Sequence, residues 1–318
     1  MSWKLPLPTE MYSVRVDGPI AFAPGTAPPL DLEVIWNDGT DPHEPPAQVH
    51  HLNDNSVVIR QSLRTSAEAP FVVLLFGNDR AFLLDTGDGS DPVVWPLRQI
   101  VDGLVDAWLT SHPRDEYDLL VVHTHDHADH TAGDVQFVHR PDTKVIGAEV
   151  EEVKEFFGLR DWPNGSATVD LGGRRLLVIP SPGHHESAIS VIDTYTGFLF
   201  TGDTVYPGRL YVKDMPAFLA TMDRLAALAE VGDISHVLGC HIELDLNERD
   251  YPLGIREHPE EVSPFMPSDR LGEVRDAARK VADNPGIHRF DGFVIYNGSR
   301  IRDQVGLLVR SWRSQLRR

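Results

Sequence analysis

Val122-His123-Thr124-His125-Asp126-His127-Ala128-Asp129-His130-Thr131-Ala132-Gly133 is the stretch that decides how this chain folds and what it holds. It continues a short apolar run, residues 119–123 after Asp118, of the kind a strand buried on both faces shows. Its polar groups therefore emerge where the strand ends. His125, His127, Asp129 and His130 carry imidazole nitrogen or carboxylate oxygen, donors that suit zinc and comparable divalent ions. In an extended loop, period two puts His125 and His127 on one side. Asp129 and His130, at the start of a following helix, point to a neighbouring position. One loop thus offers two half-sites, each of them open. His123 reads as the end of the strand, satisfying a backbone carbonyl, and Asp126 alternates away from the ligands as a helix cap or surface residue.

The missing donors appear further along, each just after an apolar run. Pro182-Gly183-His184-His185 follows one predicted strand, Thr201-Gly202-Asp203 a second and Gly239-Cys240-His241 a third. A glycine beside each lets backbone approach closely. Several separate strand ends offering ligands beside one histidine-rich loop is a coordination shell rather than a coincidence. Cys240 reads as a small buried hydrophobe. His50 and His51 precede the first predicted strand, at wall or solvated positions.

Further out, the pattern predicts strands at 56–62, 71–76 and 81–85, the last two joined by a turn at Gly77-Asn78-Asp79. More strands are expected at 144–147, 167–171, 174–179, 187–193, 197–201, 235–238 and 290–296. Helices are expected at 93–108, around Phe218, Met222, Leu225 and Leu228 with Asp214 as cap, around Leu271, Val274, Ala278 and Val281, and from about residue 302 onward. The first 46 residues hold nine of the 24 prolines and read as an irregular arm with a strand at 30–36. Strands in both halves, interleaved with helices, predict two packed sheets with helices outside.

On these residues the chain resembles the metallo-β-lactamase-fold hydrolase superfamily, in its glyoxalase II and lactonase-like branch rather than as a true β-lactamase. The signature H-x-H-x-D-H is matched by His125–His130. The likeness continues through Leu83-Leu84-Asp85-Thr86-Gly87, Ser181-Pro182-Gly183-His184, Thr201-Gly202-Asp203-Thr204 and Leu238-Gly239-Cys240-His241, covering roughly residues 56–243. It implies an α+β fold, a four-layer αβ/βα sandwich of two mixed β-sheets with outer helices. The expected organisation is a proline-rich arm at 1–50, a core of that fold at 51–245 and a C-terminal extension at 246–318 packed on the same domain, the arm and the extension lying outside the resemblance.

The resemblance further implies two divalent ions, zinc first, with iron or manganese suiting the same donors. One ion would take His125, His127 and His184, the other Asp129, His130 and His241, with Asp203 bridging. Asp85 would orient ligands rather than bind metal. Two positions depart from the pattern: Cys240 stands before His241, and His185 stands where a small or polar residue is common. His185 reads as supporting the site or facing substrate.

The activity so implied is hydrolysis of an ester, thioester or lactone bond by a metal-bridging hydroxide, with Asp129 orienting the nucleophile and passing a proton. Tyr206 has two readings, an oxyanion donor near the substrate carbonyl or a packed core residue. Asp203 speaks against the β-lactam-cleaving branches, His127 against flavodiiron reductases, and chain length against the clamp-bearing RNA-processing relatives. A mononuclear iron, persulfide-dioxygenase-like oxidoreductase shares the ligand list, and a metal-stabilised binding protein without turnover is a third reading. Around the site, Tyr206, Arg209 and Tyr211 are candidates to read a polar or anionic substrate. The apolar insert at Val153, Phe156, Phe157, Leu159 and Trp162 reads as an acyl wall or a helix packed on the core. Residues 244–268 read as a roof or a surface loop.

Composition agrees with a globular enzyme. With 48 acidic against 29 basic side chains the formal charge of the 318 residues is -19, which repels phosphate backbones and disfavours nucleic-acid partners. No run approaches the ~18 apolar residues of a membrane span. The single cysteine precludes an internal disulfide, and the N-terminal residues lack a signal-like apolar stretch, so a reducing, cytoplasmic setting is expected. The expected partners are a small-molecule substrate and, in a homodimer, a second copy. The arginine-rich stretch at 300–318 reads as a solvated helix face or a partner contact.

Overall fold

The computed structural model describes residues 22, 27–232 and 234–298. Its first sheet runs in the order β1 (Ala47–Asn53), β2 (Ser56–Gln61), β3 (Phe71–Phe76), β4 (Arg80–Leu84), β5 (Asp118–Val122) and β6 (Thr143–Val145). β1 to β4 form an antiparallel meander, and β4, β5 and β6 are parallel. The β4–β5 crossover contains α1 (Leu97–Ser111); the short α2 (Ala128–Thr131) follows β5, and α3 (Val150–Phe157) follows β6. The second sheet holds β7 (Ala167–Asp170), β8 (Arg175–Pro180), β9 (Ile189–Asp193) and β10 (Phe198–Gly202) as antiparallel neighbours. β12 (His236–Gly239) lies parallel to β10, and β13 (Phe265–Pro267) closes the edge. Between β10 and β12 in the chain come β11 (Arg209–Tyr211) and α4 (Met215–Glu230), and after β13 come α5 (Arg270–Val281), β14 (Ile287–Phe290) and β15 (Phe293–Tyr296). β11, β15 and β14 make a small third sheet.

Alternation along the strands explains the layers. In the first sheet Val58, Val73, Leu75, Phe82, Leu84, Leu120 and Val122 face inward and meet Leu176, Val178, Val191, Phe198 and Phe200 of the second. The intervening residues, among them Val57, Val72, Leu74, Leu83 and Val121, face outward under α1, which contributes Leu97, Val101, Val105 and Trp108. On the far side Leu199, Ile192 and Val237 turn outward beneath α4 and α5. The central strands are covered on both faces and read as continuous apolar runs, whereas the edge strands β1, β6 and β7 are partly exposed and half-polar. The result is the four-layer arrangement, helix, sheet, sheet, helix, of the expected α+β class.

The cap at Asp214 forms as expected, its carboxylate accepting from the Ala217 N–H. Other details differ. Residues 30–36 run extended without joining a sheet, packing Leu30, Leu32, Val34 and Trp36 against the inter-sheet core. The strand in that region is instead β1, which carries His50 and His51. α1 starts at Leu97, because residues 92–96 turn around Asp91. β11 and β13 are too short to register as apolar periods. The helix expected from residue 302, the basic stretch and most of the N-terminal arm lie outside the described residues. No helix among the described residues is long and apolar enough to cross a membrane.

Strand direction gathers the donor-bearing loops. β4 and β5 run parallel, and β8 runs in the sense of β10 and β12 because each is antiparallel or parallel to its neighbour accordingly. The C-terminal ends of all five come together at one edge of the sandwich. A backbone bond from Ile189 N–H to Thr124 O at 2.8 Å stitches the two sheets there.

Candidate metal centre

The loops that leave those five strand ends carry the donors. β5 runs into Thr124, His125 and His127, with His127 preceding α2, whose first turn holds Asp129 and His130. His184 follows β8, Asp203 follows β10 and His241 follows β12. Glycine is required at Gly202, the last residue of β10 before Asp203. It has φ +52°, and a Cβ there would lie 2.6 Å from Cβ of Thr124.

Seven side chains meet in two groups. His125, His127, His184 and Asp203 present one donor atom each within 4.8 Å of one another, as do Asp129, His130, Asp203 and His241. In the first, Nε2 of His125 and Nε2 of His184 lie 2.8 and 3.2 Å from Nδ1 of His127, and Oδ2 of Asp203 is 3.5 Å from His184. In the second, Nε2 of His130 is 3.4 Å from Asp129 and 3.5 Å from Oδ1 of Asp203. Nε2 of His241 is 3.5 Å from Asp129 and 3.1 Å from Oδ1 of Asp203. One carboxylate therefore serves both groups, an oxygen to each.

These separations fit a tetrahedral ion. Ligands ~2.0–2.1 Å from a central zinc stand about 3.3 Å apart, close to the spacings seen. Two of the atoms facing inward, Nε2 of His130 and Oδ1 of Asp203, are buried without any hydrogen-bond partner, an expensive arrangement unless a cation lies between them.

The remote nitrogens are held in ways that leave the inner ones free to coordinate. Nδ1 of His184 meets Tyr211 O at 2.8 Å and Nδ1 of His241 meets Glu68 O at 2.9 Å. Nδ1 of His130 meets Oδ2 of Asp85 at 2.9 Å, and the Thr124 hydroxyl lies 3.2 Å from Nδ1 of His125 while donating to Asp85. Each such partner fixes tautomer and ring orientation. Asp85 is fully buried at φ +66° and also accepts from Thr124 N–H at 2.6 Å and Sγ of Cys240 at 3.3 Å. His127 differs, its Nε2 facing Nζ of Lys213 at 2.9 Å.

Charge divides the two groups. Burial, reinforced by the neighbouring imidazoles, holds His125 well below the usual histidine range, and burial with His184 and Lys213 lowers His127 to about 4. His184 is also lowered, mainly by burial. All three shifts favour the neutral ring that a metal ligand needs. Burial also disfavours the charged forms of His130 and His241, but carboxylates overcome it: Asp85 and Asp203 raise His130 well above its ordinary value, and Asp203 and Asp129 bring His241 to about 10. In return, and against its own burial, Asp203 is held well below the carboxylate range, and Asp129 falls to about 2.

A cavity of about 870 Å³ opens over both groups, lined by His127, Asp129, His184 and Asp203 with Tyr211, Lys213, Met215 and the chain at Tyr296–Gly298. His185 sits beside it, its ring 4.8 Å from that of His127 and its Nδ1 on Ser187, outside the two groups. His123 spans Ile146 O and Asp134, pointing away. Asp126 is exposed.

Two expectations are corrected and one open reading is resolved. Tyr206 is no oxyanion donor here: its ring is buried against His241 at 5.4 Å and its hydroxyl donates to Arg209 O, so it does not line the cavity. Arg209 is spoken for by Glu243, Asp250 and the Tyr251 carbonyl, which leaves it no free edge for substrate. Of the two readings of the insert around α3, core packing is the one seen: Val153, Phe156, Phe157 and Trp162 pack on the inter-sheet core. Residues 244–268 contribute nothing to the lining of the main cavity. What sequence reasoning missed is Lys213, Thr124 and the Tyr296–Gly298 rim. Lys213, only ten residues past Asp203 and two past β11, carried no pattern of its own.

Comparison with known proteins bears on the family and the fold. The family model of the metallo-beta-lactamase superfamily matches residues 66–230, just over half of the chain. Hydroxyacylglutathione hydrolases of Brucella ovis and Brucella abortus are 27% identical over 194 residues, 58% of this chain and 71% of theirs. Among solved structures, FIM-1 from Pseudomonas aeruginosa in its mono-zinc form superposes with a TM-score of 0.51 at 16% identity, covering 77% of this chain and 99% of that one. A metallo-beta-lactamase from Erythrobacter litoralis gives 0.51 at 18%, covering 75% and 98%. At such identities the structures speak for the fold alone.

Proposed function

Because this chain belongs to the metallo-beta-lactamase superfamily, we propose that its metal-dependent hydrolytic centre is dinuclear and acts on ester, thioester or lactone bonds, thioesters first. The observation that carries the reading is the shared carboxylate: Asp203 faces His125 and His184 with one oxygen and His130 and His241 with the other. The hydroxyacylglutathione hydrolases among its relatives support a thioester as the first substrate class to try.

In this reading His125, His127 and His184 would hold one ion and Asp129, His130 and His241 the other, with Asp203 offering an oxygen to each group. Zinc suits the nitrogen-rich donor set. Two such ions would supply Lewis acidity for a carbonyl and a nucleophilic water at neutral pH.

The chain's own groups do the rest. Asp129, ionised and half-buried at the cavity floor, is placed to orient the attacking water and to hold its proton for the leaving group. Tyr211, Met215 and Tyr296 give the cavity an apolar side for an acyl or thiol portion, and Lys213 gives it a cation. The buried ligand histidines are fixed by Thr124, Asp85, Tyr211 and Glu68, so little reorganises during reaction. The complete second group favours this over a mononuclear centre.

Elemental analysis of freshly purified protein followed by a panel of thioesters, lactones and aryl esters tests the proposal. Two zinc ions per chain with turnover of a thioester support it. A single iron with oxygen uptake and no hydrolysis refutes it.

A further inference from the structure

We propose that Cys240 is a positioning residue for the half-site of Asp129, His130 and His241, its thiol holding Asp85 and, through it, the His130 ring. The inference rests on the metal-centre reading above.

Three observations converge. Sγ of Cys240 lies 3.3 Å from Oδ2 of Asp85, the same oxygen that receives Nδ1 of His130 at 2.9 Å. The opposite nitrogen of that ring, Nε2, is buried, without a hydrogen-bond partner, and directed at Asp129 and Asp203. The ring is thus aimed at a cation position by a carboxylate that the thiol helps to hold. The thiol is itself anchored by backbone bonds to both sheets, from Cys240 N–H to Gly202 O at 3.1 Å and from Phe71 N–H to Cys240 O at 2.8 Å.

The space around the pair makes the thiol hard to replace. The void lined by Asp85, Thr124 and Cys240 measures about 10 Å³, at or below what one water needs. Oδ2 therefore takes its donors from Thr124, His130 and Cys240, and no water stands ready in place of the thiol. Withdrawing the S–H takes one of three donors from Oδ2 of a fully buried carboxylate, which loosens its seat and, with it, the aim of the His130 ring. An S–H group is a weak donor, so the effect belongs at the low end of the roughly 10–100-fold that such supporting partners command over metal affinity.

The experiment is zinc titration of the metal-free full-length chain against a competing chromophoric chelator, resolving the two binding steps. It compares wild type with Cys240→Val, Cys240→Ala and Cys240→Ser, each checked for an intact thermal melt. Valine fills the space without donating, alanine carries the comparison where valine does not fold, and serine donates. The expected result is a roughly tenfold weaker second zinc step in the valine or alanine variant, with the first step and both steps of the serine variant close to wild type. Unchanged second-step affinity in the non-donating variants overturns the proposal. An equal loss in serine and valine overturns it too, since packing and not the donor then matters. A wild-type chain that takes up fewer than two zinc ions refutes the metal-centre reading itself, and the proposal with it.

Discussion

Replacing Asp203 by asparagine separates a metal-bridging carboxylate from a merely polar one. Asparagine keeps the size and one acceptor oxygen, but its amide NH2 cannot coordinate, and the charge is gone. In the structure Oδ1 stands 3.1 Å from His241 and 3.5 Å from His130, and Oδ2 3.5 Å from His184 and 4.0 Å from His125. One group must lose a donor outright, and the other loses its anionic partner. Two unit charges ~4 Å apart at an effective dielectric of ~20 interact by about 4 kcal/mol. Removing one partner of a buried charge pair costs about 3–5 kcal/mol once desolvation is returned. Zinc affinity at the weaker step should therefore fall by roughly two to three and a half orders of magnitude, since ~1.4 kcal/mol is tenfold. Chelator-competition titration with elemental analysis after dialysis reads this directly. Wild type should retain two ions and the variant one at most, with thioester turnover falling in step. Two ions bound within threefold of wild-type affinity would refute the bridging role.

Three further outcomes rest on the same geometry. Tyr206→Phe should leave kcat and KM for a thioester unchanged while lowering stability by about 0.5–1.5 kcal/mol, the net value of its bond to Arg209 O; a large fall in kcat would restore the oxyanion role. Arg174→Met should destabilise the chain by about 3–5 kcal/mol in denaturant unfolding, because it strands Asp193, which is fully buried and paired to it at 2.6 Å; adding Asp193→Leu should recover part of the loss, and no recovery would show that the ion pair is not the cause. In metal-free protein the His241 pairing contributes stability because its folded value, about 10, lies above the ordinary 6.5. That contribution is full below pH ~6.5 and is lost as pH rises through ~10, so melting temperature should fall across this window; a flat profile would contradict the pairing.

How much of the molecule is legible in its sequence differs by residue, for physical reasons. The His125–His130 loop is readable because its donors are consecutive and come directly after an apolar strand. His184, Asp203 and His241 are readable as donors after strands, but their convergence depends on strand direction across two sheets, which periodicity does not encode. Asp85 is placed by resemblance; nothing in its own surroundings says that a left-handed carboxylate will collect Thr124, His130 and Cys240. Tyr206 misleads because position along a chain does not fix where a hydroxyl points, and a carbonyl three residues on is nearer than the cavity. The rim at Tyr296–Gly298 arrives through the pairing of Arg209 with Val294, a contact between segments more than eighty residues apart with no local signal.

The placement of the buried charges bears on whether metal builds this fold or only occupies it. At the ligand edge the sheets meet through groups that need a cation: Nε2 of His130 and Oδ1 of Asp203 are unsatisfied without one. At the opposite edge Arg174 needs nothing from a metal. Its guanidinium reaches Asp193 in the second sheet and, in the first, the Asn55 and Phe76 carbonyls and the Ser56 hydroxyl at 2.5–2.9 Å. Between the two edges lies a continuous apolar layer. A small zinc module folds only on its ion because it has no such layer. Here the layer and the arginine clasp hold the sheets together independently, so the strand ends stay converged and the donors wait in register. Metal removal should thus soften one edge without unfolding the chain: chelated protein keeps its far-ultraviolet circular dichroism, and zinc at about 100 times its dissociation constant raises stability by about 2.7 kcal/mol. Loss of the spectrum on chelation would mean that the ions, not the layer, hold the sandwich closed.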